Sequence, residues 1–217
     1  MVGLNGDCTL DASLNSQEQE AALMMTANNA LSHNPPTSWL CYTSAGATAA
    51  GSSNLAGGFN PTESIWQFIK DEGTGNFPVG HRRYVLHSTK QQFGFGATPN
   101  ATALYVFHSD ANTQIPAFIA FPPKGFIPQQ LIPSRWSFAI PGADFTASTV
   151  TMTGPGGNVS LTVVSNNITF YGDNSVVFVP TPVDIANTTD VEYTITISGI
   201  TNAPQTSYTY KTTIFKP

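Results

Sequence analysis

The sequence has few charged residues, since Asp, Glu, Lys and Arg make up only 10% of its 217 residues, against roughly 25% in ordinary soluble domains. Ser, Thr, Asn, Gly and Pro supply the polar surface instead, a composition typical of exported proteins. The formal net charge is −5, and the eight Lys and Arg residues include one adjacent pair, Arg82 and Arg83. Because nucleic-acid binding needs a basic stripe that neutralises phosphates, we exclude nucleic acid as a partner.

Long apolar runs are also missing from the sequence. No run approaches the ~18 apolar residues that a membrane-spanning helix requires, and the first residues lack the pattern of a signal peptide. The hydrophobic fraction of 41% is nevertheless sufficient for a buried core. We therefore expect a secreted, extracellular protein of one large domain or two modest ones, without a transmembrane segment.

Cysteine is scarce as well, with two residues in the whole chain, Cys8 and Cys41. Neither belongs to a CxxC motif, which disfavours zinc or redox chemistry at sulfur. Because the composition indicates an oxidising compartment, we predict a Cys8–Cys41 disulfide that restricts the unfolded chain by about 3–4 kcal/mol. The alternative is a pair of buried, reduced thiols.

The periodicity of the first half predicts helices followed by a small antiparallel sheet. Residues 11–32 form a first helix with Leu14, Ala21 and Met25 on its apolar face and Gln17, Glu18 and Glu20 on the other face. Residues 37–59 are predicted to form a loop. A second helix begins at Asn60, Pro61 and Glu63, the pattern of a capping box, and a third short helix covers residues 80–86. Two strands follow, at residues 93–98 and 103–108, joined by a turn.

The second half is dominated by strand signals. Six alternating segments separated by turn residues predict an antiparallel sandwich of immunoglobulin-like type; they begin at Trp136, Thr149, Val159, Ser175, Glu192 and Tyr208. Residues 111–133 are rich in proline and are predicted to form a semi-rigid connector. We therefore predict an α+β protein with an amino-terminal domain at residues 1–110 and a β-sandwich at residues 134–217.

All four histidines lie in the first half of the chain. His33 follows the end of the first helix, and His81 opens the third. Neutral imidazole is the commonest protein ligand of zinc, so His33 and His81 could converge on a divalent cation. His87 and His108 follow apolar runs and are expected to be structural, while the carboxylates of the second half are expected to be solvated.

Five short motifs resemble, in their order and spacing, the CAP superfamily of cysteine-rich secretory, antigen-five and pathogenesis-related proteins. They are Leu-Ser-His (31–33), Ser-Asn-Leu-Ala (53–56), Ile-Trp (65–66), Gly-His-Arg-Arg (80–83) and a glycine-rich strand (93–96). The bacterial secreted branch is the best match, and the resemblance covers residues 1–110, about half of the chain. It implies an α-β-α sandwich, and it leads us to expect that the amino-terminal part of the family's domain is truncated here.

The resemblance also implies a central cleft, which in animal members is lined by two histidines and two glutamates and can bind zinc. His33 and His81 match the histidines, but Ser53 and Ile69 stand where the glutamates are expected. Asp71 and Glu72, one turn beyond Ile69, are possible substitutes. The loss of two carboxylates weakens a cation site and removes an acid–base pair, while Arg82 adds positive charge that suits an anion.

Three functional interpretations follow from these residues. The first is a non-enzymatic module whose cleft, formed by His33, Ser53, Asn54, Asp71, Glu72, His81 and Arg82, binds a small lipid, an anion or a weakly held metal. The second is a zinc-assisted hydrolase of peptide or cell-wall material that uses His33, His81 and Asp71. A hydrolase that uses a catalytic triad of Ser52 or Ser53 with His81 and Asp71 is disfavoured, because neither serine lies in the Gly-x-Ser-x-Gly motif of a nucleophile elbow. The third interpretation is an adhesion or envelope scaffold.

Overall fold

The structure, a computed structural model, describes residues 2–4, 6–107, 114–183 and 189–217. It divides the chain into two compact units, each assembled from separate segments of the sequence. The helical unit comprises Asn5–Ile69 and Thr89–Gln114, and the β unit comprises Met1–Leu4, Lys70–Ser88 and Ile115–Pro217. His108 and the predicted boundary at residues 110–111 lie outside the described residues, so the domain limits stay a prediction.

In its described part, the helical unit contains three helices and a four-stranded sheet. Its elements are β1 (Thr9–Leu10), α1 (Ala12–Asn28), α2 (Ser44–Gly51), β2 (Ser53–Gly57), α3 (Pro61–Lys70), β3 (Gln92–Ala97) and β4 (Ala101–Tyr105). The strand order is β1-β3-β4-β2, in which β1 is parallel to β3 and the other neighbours are antiparallel. The predicted hairpin of β3 and β4 is confirmed.

Helix α1 confirms the first predicted helix but ends earlier than expected. The side chain of Asp11 caps its amino terminus by accepting a hydrogen bond from Leu14 N at 2.9 Å. Its carboxyl terminus is closed by Asn29, which adopts the left-handed conformation with φ 47°. Asn is one of the few residues that tolerate this conformation, and its backbone N–H bonds back to the last turn. The helix therefore stops before the prolines that were expected to end it.

Two glycines of β3 allow α1 to lie directly on the sheet. A Cβ atom at Gly94 would come within 2.5 Å of Leu14 Cβ, and one at Gly96 would collide with the backbone of Glu18 and Gln19. Because no larger residue fits at either position, the glycine-rich strand fixes the distance between helix and sheet. Small residues on α1, α2 and β4 fill the core beneath, among them Ala21, Ala50 and Ala103.

The predicted loop at residues 37–59 is wrong, because it contains α2 and β2. Thr43 caps α2 by accepting a hydrogen bond from Gly46 N at 3.0 Å. The helix consists of Ser, Ala, Gly and Thr, so it carries no large apolar residues whose spacing would have revealed it. Its small residues allow close packing on α1, where a Cβ atom at Gly46 would lie 3.0 Å from the backbone of Glu20.

The capping box predicted for the second helix is confirmed in α3. Asn60 Oδ1 accepts a hydrogen bond from Glu63 N at 2.9 Å, and Glu63 Oε2 accepts one from Asn60 N at 3.4 Å. This reciprocal pair satisfies two backbone donors at the start of the helix. The helix ends at Lys70, and Asp71 follows with a left-handed φ of 52°.

The described part of the β unit contains one α-helix, α4 (Gly80–Val85), which confirms the third predicted helix, together with a 3-10 helix (Gln129–Leu131) and nine strands. These are β5 (Ile119–Phe121), β6 (Gly125–Pro128), β7 (Trp136–Ala139), β8 (Thr149–Gly154), β9 (Gly157–Asn158), β10 (Ser160–Ser165), β11 (Ser175–Thr181), β12 (Val191–Ser198) and β13 (Ser207–Phe215). All six predicted strands are present. Two more, β5 and β6, lie within the stretch that was predicted as a connector.

The strands of the β unit form two sheets with aromatic side chains between them. Their orders are β10-β11-β7-β5 and β6-β13-β12-β8-β9. Trp136 and Phe138 of the first sheet pack against tyrosines of the second, with ring centroids 6.1 Å apart for Trp136–Tyr193 and 5.6 Å for Phe138–Tyr208. The α+β class is therefore confirmed, while the immunoglobulin-like type of the sandwich stays a prediction.

The predicted Cys8–Cys41 disulfide is wrong, and α1 explains why. Cys8 precedes the amino terminus of α1, whereas Cys41 follows Leu40, whose backbone exchanges two hydrogen bonds with the side chain of Asn28 in the last turn. The 17 residues of α1 separate these ends by about 25 Å, whereas bridged Cα atoms lie within about 7 Å of each other. Both cysteines are exposed and not bonded to each other.

We expect both cysteines to react with iodoacetamide in the folded protein without prior reduction, because both are exposed. Mass spectrometry of the intact chain should show two added groups and the same thermal midpoint with and without a reductant. A mass deficit of two hydrogens and no alkylation would contradict this expectation.

Candidate functional site

His33 lies in the exposed loop that follows α1 in the helical unit. Its Nδ1 atom is 2.8 Å from the carbonyl oxygen of Ala50, close to the end of α2. When Nδ1 carries the proton, it donates to this carbonyl, which leaves Nε2 as the only ring atom able to accept a proton or bind a ligand. The contact ties the loop to α2.

Ser53 and Asn54, which we expected to line one cleft, are neighbours in β2 and therefore lie on opposite faces of the sheet. Ser53 faces α1, where its Oγ donates to Glu18 Oε2 at 2.7 Å. Asn54 lies on the other face and is 2% exposed. The alternation of the strand thus separates the two residues that the sequence motif joins.

Glu18, the hydrogen-bond partner of Ser53, is a buried residue that sequence analysis did not predict. It was assigned to the polar face of α1, but its side chain is fully buried, and Oε1 has no hydrogen-bond partner. Burial raises the pKa of Glu18 to about 7, although the hydrogen bond from Ser53 acts in the opposite direction. The spacing of Leu14, Glu18, Ala21 and Met25 is that of a single helix face, so periodicity contained the signal.

Asp71 and His81 are brought together in the β unit. Asp71 is 1% exposed, and its Oδ1 lies 2.8 Å from Nδ1 of His81, whose side chain is 30% exposed. Asp71 Oδ2 also accepts a hydrogen bond from the backbone N–H of Arg82 at 3.3 Å. This pair holds the imidazole in one orientation.

Arg82 is buried, which contradicts its predicted role as an anion ligand of an open cleft. One guanidinium nitrogen donates to the Arg135 carbonyl at 2.9 Å and to Ser137 Oγ at 3.1 Å, and the other donates to the Lys70 carbonyl at 3.0 Å. The residue is 1% exposed, and burial lowers the pKa of its guanidinium to about 10. Its donors therefore serve to join α4 to β7.

Arg83 forms a second buried connection, to the segment before β11. Its guanidinium donates to the carbonyls of Ile168 and Asp173 at distances of 2.8–3.0 Å. The carboxylate of Asp173 in turn accepts from Ser88 N at 2.7 Å and Ser88 Oγ at 3.0 Å. Asp173 was expected to be solvated, but it is 7% exposed. It is buried because its carboxylate binds Ser88, in the segment that follows α4. His87 Nε2 lies 3.9 Å from the same carboxylate.

Glu72 is bound to the segment that precedes β7. It accepts hydrogen bonds from the backbone and side chain of Ser134, at 3.0 and 2.6 Å, and lies 4.0 Å from the guanidinium of Arg135. Burial alone would raise the pKa of Glu72, but the Ser134 hydrogen bonds and the Arg135 and Lys70 charges lower it below its ordinary value. Glu72 is thus occupied by structural contacts.

An apolar groove runs along α3 in the helical unit. We call it the α3 groove; it has a volume of about 560 Å³ and is lined by Pro61, Thr62, Ile65, Trp66, Ile69 and Phe95. Phe95 pairs with Leu104 in the sheet and alternates with the glycines that contact α1, so the groove lies on the face opposite α1. Sequence analysis named Ile69 only as the position of a missing acid.

The predicted cleft residues therefore belong to two different units. His33, Ser53 and Asn54 lie in the helical unit, whereas Asp71, Glu72, His81 and Arg82 lie in the β unit. Across the described ranges, no group of three or more His, Cys, Asp and Glu side chains is arranged to hold a metal ion. Over the same ranges, no helix is long and apolar enough to cross a membrane.

Four of the five ordered motifs lie in the helical unit, and the fifth, Gly-His-Arg-Arg, lies in the β unit. A scan against protein families matches residues 7–109 to CAP, the cysteine-rich secretory protein family. Residues 7–109 belong to the CAP superfamily. Members of this superfamily are generally secreted, and their functions are generally non-enzymatic or unclear. A search of curated proteins found no match to the chain.

Ser53 and Ile69, which stand where the resemblance to CAP proteins leads us to expect glutamate, have different environments. At Ser53, the buried carboxylate of Glu18 lies within hydrogen-bond distance, although it comes from α1 and not from the motif itself. At Ile69, an aliphatic side chain lines the α3 groove. One position thus keeps an acidic neighbour with a raised pKa, and the other has become apolar.

The serine triad considered for the chain is also divided between the units. His81 and Asp71 form the expected contact, but Ser52 and Ser53 belong to the helical unit. Ser52 Oγ donates to the Thr48 carbonyl at 3.2 Å, and Ser53 Oγ donates to Glu18. Each hydroxyl thus bonds to an acceptor of its own unit.

We expect Arg82→Lys to lower the free energy of unfolding by about 2–4 kcal/mol, because a lysine cannot donate to all of the buried acceptors of Arg82. Urea unfolding measures the loss. Lys211→Met is the control, since Lys211 and Glu192 form an exposed pair at 2.6 Å, and we expect its cost to stay below about 1 kcal/mol. Equal losses in the two variants would contradict the structural role of Arg82.

We expect Glu18→Gln to change how stability depends on pH. With its pKa raised from 4.5 to about 7, folded Glu18 holds a proton that the unfolded chain has released between these values. The free energy of unfolding therefore falls as pH rises through this window. At about pH 8 the glutamine variant should be more stable than the native protein, by up to about 3 kcal/mol, and the advantage should disappear below about pH 4.5.

Ser53→Ala provides the companion measurement. It removes the hydrogen bond that favours the carboxylate, so the pH window of the native glutamate should move to higher pH. Stability curves of the native protein and Glu18→Gln that stay parallel from about pH 4 to 9 would show that Glu18 does not titrate as described.

Proposed function

We propose that the protein is a secreted, non-enzymatic binding module whose CAP domain holds the acyl chain of a small lipid in the α3 groove. The observation that carries the proposal is the lining of the groove. Its residues are Pro61, Thr62, Ile65, Trp66, Ile69 and Phe95, of which Thr62 alone has a polar side-chain group apart from the indole N–H of Trp66. Its volume of about 560 Å³ lies within the range of small-molecule sites.

The shape of the groove favours an extended chain over a compact ring. The lining positions on α3 run from Pro61 to Ile69, with the spacing of one helix face. Eight steps along an α-helix cover about 12 Å. Each methylene group that is buried along this length contributes about 0.8 kcal/mol to binding.

The side chains of the other candidate ligand sites argue against an anion or a metal ion. Arg82, the expected anion ligand, is 1% exposed and donates to three acceptors within the β unit. For a metal ion, the described residues contain no group of three or more His, Cys, Asp and Glu side chains that could hold one. Of the three ligand classes that the sequence allowed, an apolar molecule fits the described residues best.

One observation favours the second candidate, a zinc-assisted hydrolase. A metal-bound histidine usually has its other ring nitrogen hydrogen-bonded to a carboxylate or carbonyl, and the His81–Asp71 contact has this form. Zinc content and zinc affinity, measured for the native protein and for His33→Ala/His81→Ala, separate the candidates. Tight stoichiometric zinc that the double variant loses would support the hydrolase, and micromolar or weaker binding would reject it. An envelope scaffold remains the alternative if neither zinc nor lipid binds.

We expect saturated fatty acids of increasing length to displace a fluorescent fatty acid from the full chain, with affinity rising up to about fourfold per added methylene until the groove is filled. Ile69→Glu should weaken binding at least tenfold, because the chain would then bury an unpaired carboxylate. Equilibrium fluorescence titration measures both effects.

Gln67→Glu is the matched control, since it adds the same charge to α3 at a residue outside the groove lining. Its affinity should stay within about twofold of the native value. The proposal is rejected if affinity does not depend on chain length, or if Ile69→Glu and Gln67→Glu weaken binding equally.

A further inference from the structure

A pocket in the β unit has mainly polar walls, unlike the α3 groove of the helical unit. We call it the asparagine pocket; it has a volume of about 110 Å³. Of its twelve lining residues, three carry hydroxyl groups and five carry a planar amide or carboxylate group. The five are Asp144, Asn166, Asn167, Asn174 and Asn202. All the lining residues belong to the β unit, so this unit alone forms the site.

Backbone hydrogen bonds fix the segments that line the asparagine pocket. Asp144 N donates to Thr201 O at 2.8 Å, and Thr201 N donates to Asp144 O at 3.0 Å, as an isolated antiparallel bridge. The bridge joins the turn after β7 to Asn202, which has a left-handed φ of 53°. Asp144 Oδ1 accepts a further hydrogen bond from Thr146 N at 2.8 Å. A site built on segments held in this way is already formed before a ligand binds.

Two of the asparagine side chains are also held in place. Asn174 Nδ2 donates to Ala143 O at 2.6 Å, and Asn166 Nδ2 donates to Thr146 O at 3.1 Å. Because the nitrogen makes this bond, the Oδ1 atom of each amide stays available as an acceptor.

The other two asparagines, Asn167 and Asn202, keep both parts of the amide group available. Neither side chain forms a hydrogen bond with any other described residue. Hydrogen bonds from Thr146 lower the pKa of Asp144, so its carboxylate is ionised at neutral pH and can only accept. The pocket therefore offers donors as well as acceptors to a ligand.

The charge and size of the asparagine pocket disfavour ions and apolar molecules. Its described lining contains no Lys, Arg or His that could compensate an anion, and most of its residues are polar. A calcium ion takes about six to eight oxygen ligands and binds more tightly as their charge rises, but Asp144 is the single carboxylate here. The volume of about 110 Å³ gives room for roughly 7–11 water-sized groups, far more than one ion needs. A neutral molecule with several hydroxyl groups fits these limits.

We propose that the asparagine pocket binds one ring of a neutral saccharide. A sugar hydroxyl both donates and accepts, and two neighbouring hydroxyls can bond to the two ends of one planar amide or carboxylate group. Sugar hydroxyls also reproduce the hydrogen bonds of water, so little is lost when they replace water in a polar pocket. The site is separate from the α3 groove, which lies in the helical unit, and does not depend on lipid binding there.

The experiment is an NMR titration of the isotope-labelled full chain with the methyl glycosides of glucose, galactose, mannose and N-acetylglucosamine. At least one glycoside should shift the amide signals of residues 142–146 and 166–169, with a dissociation constant of about 1–10 mM. Parallel titrations with the free sugars distinguish the source of the ligand. A pocket that accepts glycosides suits a unit within a polysaccharide, and one that accepts only a free sugar suits a small metabolite.

The test variant is Asn167→Ala/Asn202→Gly, which removes two amides that make no hydrogen bond with the described protein. Glycine at position 202 keeps the left-handed backbone without strain. We expect saccharide affinity to fall at least about tenfold, with the amide signals of the rest of the β unit unchanged.

Asn158→Ala is the matched control, since Asn158 is an exposed asparagine of β9 outside the pocket lining. Its affinity should stay within about twofold of the native value. Equal weakening in the two variants would overturn the proposal, as would the absence of any shift at these residues up to about 100 mM sugar. A calcium chloride titration that shifts the same signals, when no sugar does, would overturn it in favour of a cation site.

Discussion

The β unit depends on two arginine side chains whose charges are removed from water. Arg82 and Arg83 are adjacent in sequence, yet they donate in two separate directions, one toward β7 and the other toward the segment before β11. Most of their acceptors are backbone carbonyls, which neither strand pairing nor helix formation uses at these points. A guanidinium group suits this task because its five N–H donors are held in a fixed plane. The Gly-His-Arg-Arg motif thus serves as a structural joint of the β unit.

In the helical unit, glycine has the corresponding role. The absence of side chains at Gly94 and Gly96 lets α1 approach the sheet so closely that Glu18 lies beneath it, within reach of Ser53. A carboxyl group enclosed in this way is easier to protonate than one in water. On the opposite face, Phe95 and the apolar side of α3 leave an open groove. One face of the sheet therefore encloses a carboxyl group, whereas the other face borders an apolar groove.

Local rules predicted much of this architecture. The capping box of Asn60 and Glu63 located the start of α3, and alternation located the six main strands of the β unit. The same rules missed α2, because a helix of small residues has no large apolar side chains to reveal a period. Glu18 was assigned to the wrong face because its charge was weighted above its spacing. Strands β5 and β6 were missed because prolines surround them.

The candidate site was less predictable, since its contacts join residues that are distant in sequence. The acceptors of Arg82 lie up to 55 positions away and those of Arg83 up to 90, and no local pattern reports such pairs. The motif order identified the CAP family correctly. The single cleft that it implies stays a prediction, and its residues belong to two units that are described separately. The error over the disulfide was avoidable, because the helix predicted between Cys8 and Cys41 is itself too long for a bridge to span.

The division of the chain into interleaved segments has a consequence during synthesis. Residues 70–88 emerge from the ribosome well before the strands that receive them, and Arg83 waits for Asp173, which is made 90 residues later. At about 5–20 residues per second, this interval lasts roughly 5–20 s. In that time the hairpin of β3 and β4 can already pair with β2, while the intervening loop stays hydrated. The segments of the helical unit can therefore assemble first, and residues 70–88 join the strands of the β unit last.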